Sequence, residues 1–145
     1  MTSARKGIGI KVKIESAAVG VALTREMKRR VERAAQEVVD RIRASMEEHM
    51  DDQEHSSPGE PPYVKTDTLR QSITYQMTGK GTAVVGPDPD FVGFDDRGNA
   101  KVVGDYAELL EFGGGKIQPR PYMTPILGDI SVSNKVLRII KTGKR

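Results

Sequence analysis

One apolar stripe constrains this chain more than any other feature. Leu23, Met27, Val31, Ala34 or Ala35, Val38, Ile42, Met46 and Met50 recur every three or four residues, the spacing that places side chains on one face of an α-helix. At 3.6 residues per turn the stripe predicts a helix of about seven turns. Its other side carries Glu26 with Arg30, Lys28 with Glu32, Arg33 with Glu37 and Glu37 with Arg41, all four residues apart. Such pairs support a helix by about 0.2–0.5 kcal/mol each and predict a solvated face.

The apolar face needs a partner, and short strands offer one. Ile8, Ile10, Val12 and Ile14 alternate with Gly9, Lys11 and Lys13, which predicts a half-buried strand at a sheet edge protected by its lysines. Ile73 to Met77 and Thr82 to Val85 flank Gly79-Lys80-Gly81 and read as a hairpin. Thr66 to Ser72 fits one or two helical turns, with Thr66 as N-cap and Leu69 and Ile73 turned into the core. Arg70 and Ser72 are expected to point elsewhere. Asp105 is the expected N-cap of a short helix, Tyr106 to Phe112, that Gly113-Gly114-Gly115 stops. Beyond Pro119, Pro121 and Pro125, a stripe of Ile126, Leu127, Ile130, Val136, Leu137 and Ile140 predicts a C-terminal helix. The segments 51–65 and 86–104 are rich in proline, glycine and aspartate and read as long loops, mobile until partners order them. Residues 1–7 and 142–145 are expected to be flexible. The fold expected is α+β, one domain over 1–145, with a long N-terminal and a C-terminal helix packed on a small antiparallel sheet.

Composition narrows the function. The 145 residues contain no cysteine, which excludes disulfides, thiolate metal sites and a cysteine nucleophile. Apolar runs are only a few residues long and Met1 to Lys6 leads into glycines, so neither a membrane span nor a secretory signal is expected. The net charge of +3 is unevenly placed. Residues 1–50 carry 11 Lys+Arg against 7 Asp+Glu, residues 51–112 carry 5 against 12, and residues 113–145 carry 7 against 1. A uniformly basic chain would suggest a nucleic-acid binder, but a basic, acidic, basic order equally suits copies of one protein docking head to tail.

Motifs for chemistry fail on spacing. Gly113-Gly114-Gly115-Lys116 is followed by Ile117 where a phosphate loop needs Ser or Thr. His49, Asp51, Asp52, Glu54 and His55 lack a helical i, i+4 histidine pair. Asp88, Asp90, Asp95 and Asp96 lack the alternation and central glycine of a calcium loop. No Gly-x-Ser-x-Gly elbow is present. No cofactor and no enzymatic activity are therefore expected. Arg25, Lys28, Arg29, Arg30 and Arg33 cluster on the long helix and could face phosphates, with Lys141, Lys144 and Arg145 assisting. Glutamates interleave with them, and three Phe, four Tyr and no Trp give no stacking platform.

Three segments carry more information together: Ser57 to Ile73, reading SPGEPPYVKTDTLRQSI; Tyr106 to Gly113, reading YAELLEFG; and Pro119 to Pro125, reading PRPYMTP. Their order and spacing after a long amphipathic helix resemble head-tail joining or tail-completion proteins of long-tailed bacteriophages, over about Leu23 to Ile140. Asp67 stands where that family usually has Gly, Gly114 where Thr is common, and Tyr122-Met123 where Phe-Leu is usual. The resemblance implies a structural virion protein, made in the host bacterial cytoplasm and placed in the neck. It implies a ring, hexameric by analogy with phage tails, that touches other neck, connector and tail proteins and passes duplex DNA without reading its sequence. It marks Pro58, Gly59, Pro61, Pro62, Thr66, Leu69, Arg70, Ser72, Tyr106, Glu111, Phe112, Gly113, Arg120, Pro121 and Tyr122 as motif and interface candidates. An ion pair between Arg120 and Glu111 is expected. Arg25, Lys28, Arg29 and Arg33 remain candidates to face phosphate, and a basic nonspecific DNA-binding protein is the alternative.

Overall fold

The computed structural model describes residues 12–15, 25–47, 58–59, 67–79, 81–95 and 97–145. The apolar stripe forms α1, Arg25–Glu47, and buries Met27, Val31, Ala34, Ala35, Val38, Val39, Ile42 and Met46. The face meets a three-stranded antiparallel sheet made of β1, Val12–Glu15, β2, Ile73–Gly79, and β3, Thr82–Pro87. The strand order is β1-β3-β2, with Val12 opposite Val85 and Tyr75 opposite Val85 on the other side. Ala83, Val85 and Pro87 of the central strand are buried and alternate with half-buried residues, the period of two that turns one sheet face toward α1. The described part of the N-terminal strand therefore lies at an edge of the described sheet, while Ile8 and Ile10 lie outside the described residues, and β2 and β3 pair as the expected hairpin.

Ahead of β2 sits α2, Thr68–Ser72. Leu69 and Ile73 are buried as expected, but Ser72 is buried too, its hydroxyl donating to the Leu69 carbonyl at 2.6 Å. The N-cap position falls on Asp67, which adopts φ +61°. That is the left-handed backbone the family resemblance assigns to glycine, so the exchange keeps the conformation at a steric cost.

The segment 86–104 departs from the expected loop. It contains a second hairpin, β4, Val92–Phe94, with β5, Ala100–Val102. Its turn is held by Asp95, whose carboxylate accepts from the Arg97 amide at 2.9 Å and the Asn99 amide at 2.8 Å. Val103 behind it is fully buried and Phe91 packs partly on the core, so the segment has more apolar anchorage than its aspartates suggest. Gly93 rests on α2 so closely that a side chain there would collide with Thr68.

A short 3-10 turn, Val103–Asp105, leads to α3, Ala107–Phe112, whose N-cap position is Tyr106 rather than Asp105. The C-terminal stripe divides into α4, Thr124–Gly128, and α5, Ile130–Thr142. Asp129 makes the break: its side chain accepts from the Ser131 amide at 2.8 Å and starts a new helix. Val132, Ile139 and Ile140 face the core, whereas Leu127, Ile130 and Leu137 of the expected stripe are exposed. The α5 helix packs along α1 and covers part of the face expected to be solvated. Glu37 is buried there, within 3.1 Å of Lys135, 3.0 Å of Arg145 and 3.5 Å of Arg41. Of the four expected helix pairs, Glu26–Arg30 and Glu37–Arg41 form, while Arg33 turns to the Gly143 carbonyl instead. The chain end expected to be flexible is thus held by Arg145, which also reaches Asp40 at 2.6 Å.

Candidate functional site

The motifs in α3 and 119–125 form one knot around a buried carboxylate. The α3 helix stops at Gly113, whose φ of +73° lets the chain reverse. A side chain there would lie 2.9 Å from the Ile117 carbonyl and from Pro119, so only glycine fits. The chain then returns extended along α3, with the Arg120 amide donating to the Leu110 carbonyl at 2.6 Å. This brings Glu111 under the start of α4. Its carboxylate accepts from the amides of Tyr122 at 2.7 Å, Met123 at 3.1 Å and Thr124 at 2.7 Å, and from the Thr124 hydroxyl.

Those partners correct the expected ion pair. Glu111 satisfies backbone donors that have no helical acceptor at the start of α4, and the Arg120 guanidinium donates to the Gln118 carbonyl at 3.4 Å. Tyr122 and Met123 are fully buried, and the Tyr122 hydroxyl donates to the Ala107 carbonyl at 3.0 Å. Burial, reinforced by the negative field of Glu111, holds that phenol well above its ordinary pKa. A third motif joins through Gly59, whose amide donates to the Pro119 carbonyl at 2.9 Å. Pro58 is exposed beside it, and Pro121 is half-buried between Arg120 and Tyr122. Pro61, Pro62 and Thr66 lie outside the described residues.

Within α3, Ala107 and Glu111 point inward, Tyr106 and Leu110 are half-buried, and Phe112 is 58% exposed, with Leu109 and Ile117 also exposed. A bridge from Gly114 to Ile117 fixes the turn beside them. Phe112 is therefore not part of the core.

The basic set also separates. Arg30 donates to the Ile140 and Lys141 carbonyls at 3.3 and 2.8 Å, and Arg33 to the Gly143 carbonyl at 2.7 Å. Both satisfy carbonyls left open at the C-terminus of α5, where cations also suit the helix dipole. Arg33 thus serves the fold, while Arg25, Lys28 and Arg29 stay exposed. Near α2, Asp67 pairs with Arg70 and accepts from Gln71 at 3.0 Å. The hydrogen bond from Arg70 holds the Asp67 carboxyl below its usual range. His49, Asp51, Asp52, Glu54 and His55 lie outside the described residues. No group of three His, Asp or Glu among the described residues could hold a metal ion, and no described helix is long and apolar enough to cross a membrane.

Sequence reasoning missed the hairpin β4–β5 and the Glu37 cluster. The alternation of Val92 and Phe94 about Gly93, followed by a Gly98-Asn99 turn, was the available signal for the first. The second had none, because it joins residues about a hundred positions apart.

Fold and knot together define a small α+β module in which a buried carboxylate caps open backbone amides. The family model described as "Bacteriophage HK97-gp10, putative tail-component" matches residues 9–113. The chain belongs to this family of phage proteins. Comparison with curated proteins and with solved structures returned no match.

Proposed function

We propose that this chain forms a closed ring in the neck of a tailed phage, between the head connector and the tail. The observation that carries the reading is Phe112, a residue of the YAELLEFG motif that stands 58% exposed directly after the buried Glu111. Membership of a phage structural family supplies the setting. The role is structural, without catalysis or cofactor, and the DNA passes through the ring without sequence-specific contacts. A 145-residue globule is about 38 Å across, and six side by side leave a central opening wide enough for duplex DNA. Other neck, connector and tail proteins cap the two sides of the ring.

Imaging of particle necks tests this directly. A ring of identical copies is the expected result, and a neck holding one copy or a dimer overturns it. A second reading, nonspecific DNA binding, has the exposed Arg25, Lys28 and Arg29 behind it. Binding of duplex DNA by the purified chain that collapses steeply with salt would favour that reading.

A further inference from the structure

The hairpin β4–β5 has one face on the protein and one in solvent. Directly paired residues of an antiparallel ladder share a face. Gly93 is paired with Lys101, and Gly93 rests on Thr68 of α2. Val92 and Val102, and Phe94 and Ala100, therefore share the opposite face. Phe94 is 62% exposed, and Val92 and Ala100 are exposed with it. Two strands this short do not hold such a face in water without support, and α2 supplies that support from behind. The surrounding charge is acidic: residues 88–105 contain five aspartates against Arg97 and Lys101.

A complementary surface exists on α5. Ile130, Asn134, Leu137, Arg138 and Lys141 follow helical spacing along its outer side and are all exposed, Ile130 to 75%. Residues 130–145 carry five Lys or Arg and no acidic residue. Lys135 and Arg145 are engaged with Glu37, while Arg138 and Lys141 flank Leu137 on the helix and Lys144 follows just beyond its end. Both surfaces are exposed among the described residues, so neither covers the other within one chain.

We infer that the apolar face of the β4–β5 hairpin, rimmed by aspartates, docks on the Ile130–Leu137 face of α5, rimmed by basic side chains, of a second copy of this chain. The inference rests on the ring reading and names its contact. Two different patches meeting make a heterologous interface, the type that propagates around a ring. Apolar contact at the centre supplies affinity, and the opposed charges set orientation and reject hairpin-to-hairpin pairing.

Cysteine cross-linking in assembled particles tests it, since the chain has no cysteine of its own. The double variant Phe94→Cys with Leu137→Cys should yield, on oxidation, a ladder of cross-linked multimers. Co-assembly of the two single variants should stop at dimers, and each single variant alone should stay monomeric on a non-reducing gel. Dimers from Phe94→Cys alone, or no cross-links from the double variant in necks where imaging shows the ring, overturn this contact and leave the ring reading intact. Absence of both ring and cross-links overturns the two together. If the double variant is not incorporated, charge puts the same question. Arg138→Glu with Lys141→Glu, and Asp90→Lys with Asp105→Lys, should each abolish ring formation, and mixing the two chains should restore it. Failure of the mixture to restore rings also overturns the contact.

Discussion

The carboxylate of Glu111 accepts a hydrogen bond from the Thr124 amide at 2.7 Å, across thirteen residues of sequence. A side chain from the end of one short helix thereby caps the beginning of another. Neither α3 nor α4 is long enough to be stable alone, so this contact decides whether the segment between them is a fixed structure or a tether. Phe112 is the next residue after Glu111, and the same contact fixes where it stands.

Replacement of Glu111 by alanine should destabilise the protein by about 2–3 kcal/mol, because the buried amides of Tyr122 and Met123 lose their acceptor. Thermal unfolding would register this as a fall of about 4–10 °C for a chain of this size. Glu111→Gln, which keeps one carbonyl oxygen in place, should lose less.

Glu37 predicts an acid sensitivity. Burial alone would raise its pKa, but hydrogen bonds from Lys135 and Arg145 outweigh burial and hold it below the ordinary 4.5. A depressed folded pKa means the stabilisation is complete above the ordinary value and is lost as pH falls through the folded one. The melting-temperature gap between the wild type and Glu37→Gln should therefore be widest near pH 7 and shrink toward pH 3. A gap independent of pH would show that the cluster contributes nothing through charge.

Asp67 separates backbone strain from side-chain contact. Asp67→Ala loses the Arg70 pair and keeps a left-handed backbone, and should cost about 1–2 kcal/mol. Asp67→Gly loses the same pair but relieves the strain, and should be the milder change in urea denaturation.

Phe112→Ser and Ile42→Ala should act on different properties. Ile42 is fully buried in α1, and its truncation should cost about 2–5 kcal/mol. Phe112 is exposed, so its replacement should leave stability within about 0.5 kcal/mol while reducing ring recovery in particle imaging. A stability loss at Phe112 equal to that at Ile42 would make it a fold residue.

Ring formation should weaken from low to high salt if opposed charges orient neighbouring copies, since exposed pairs are screened beyond about 8 Å at physiological ionic strength. Sedimentation across a salt series would measure the shift.

Much of the fold is local and could be read from residues in order. The period of α1, the alternation in β3 and the glycines of the β2–β3 hairpin each declare an element within a few residues, and the family model spans the motifs of Ser57 to Ile73 and Tyr106 to Gly113. What the sequence could not determine was direction. Leu137 and Ile140 stand alike in the stripe, yet one is exposed and the other buried, because Asp129 starts α5 anew and its contact with α1 selects the face. Glu111 and Arg120 look like an ion pair by charge, but the reversal at Gly113 brings Glu111 to open amides at the start of α4, and its carboxylate accepts from them. Arg30 and Arg33 look like a phosphate surface until the end of α5 arrives with unpaired carbonyls. In each case the partner is distant in sequence, and only tertiary packing decides which group meets which, because hydrogen bonds and burial depend on position in space.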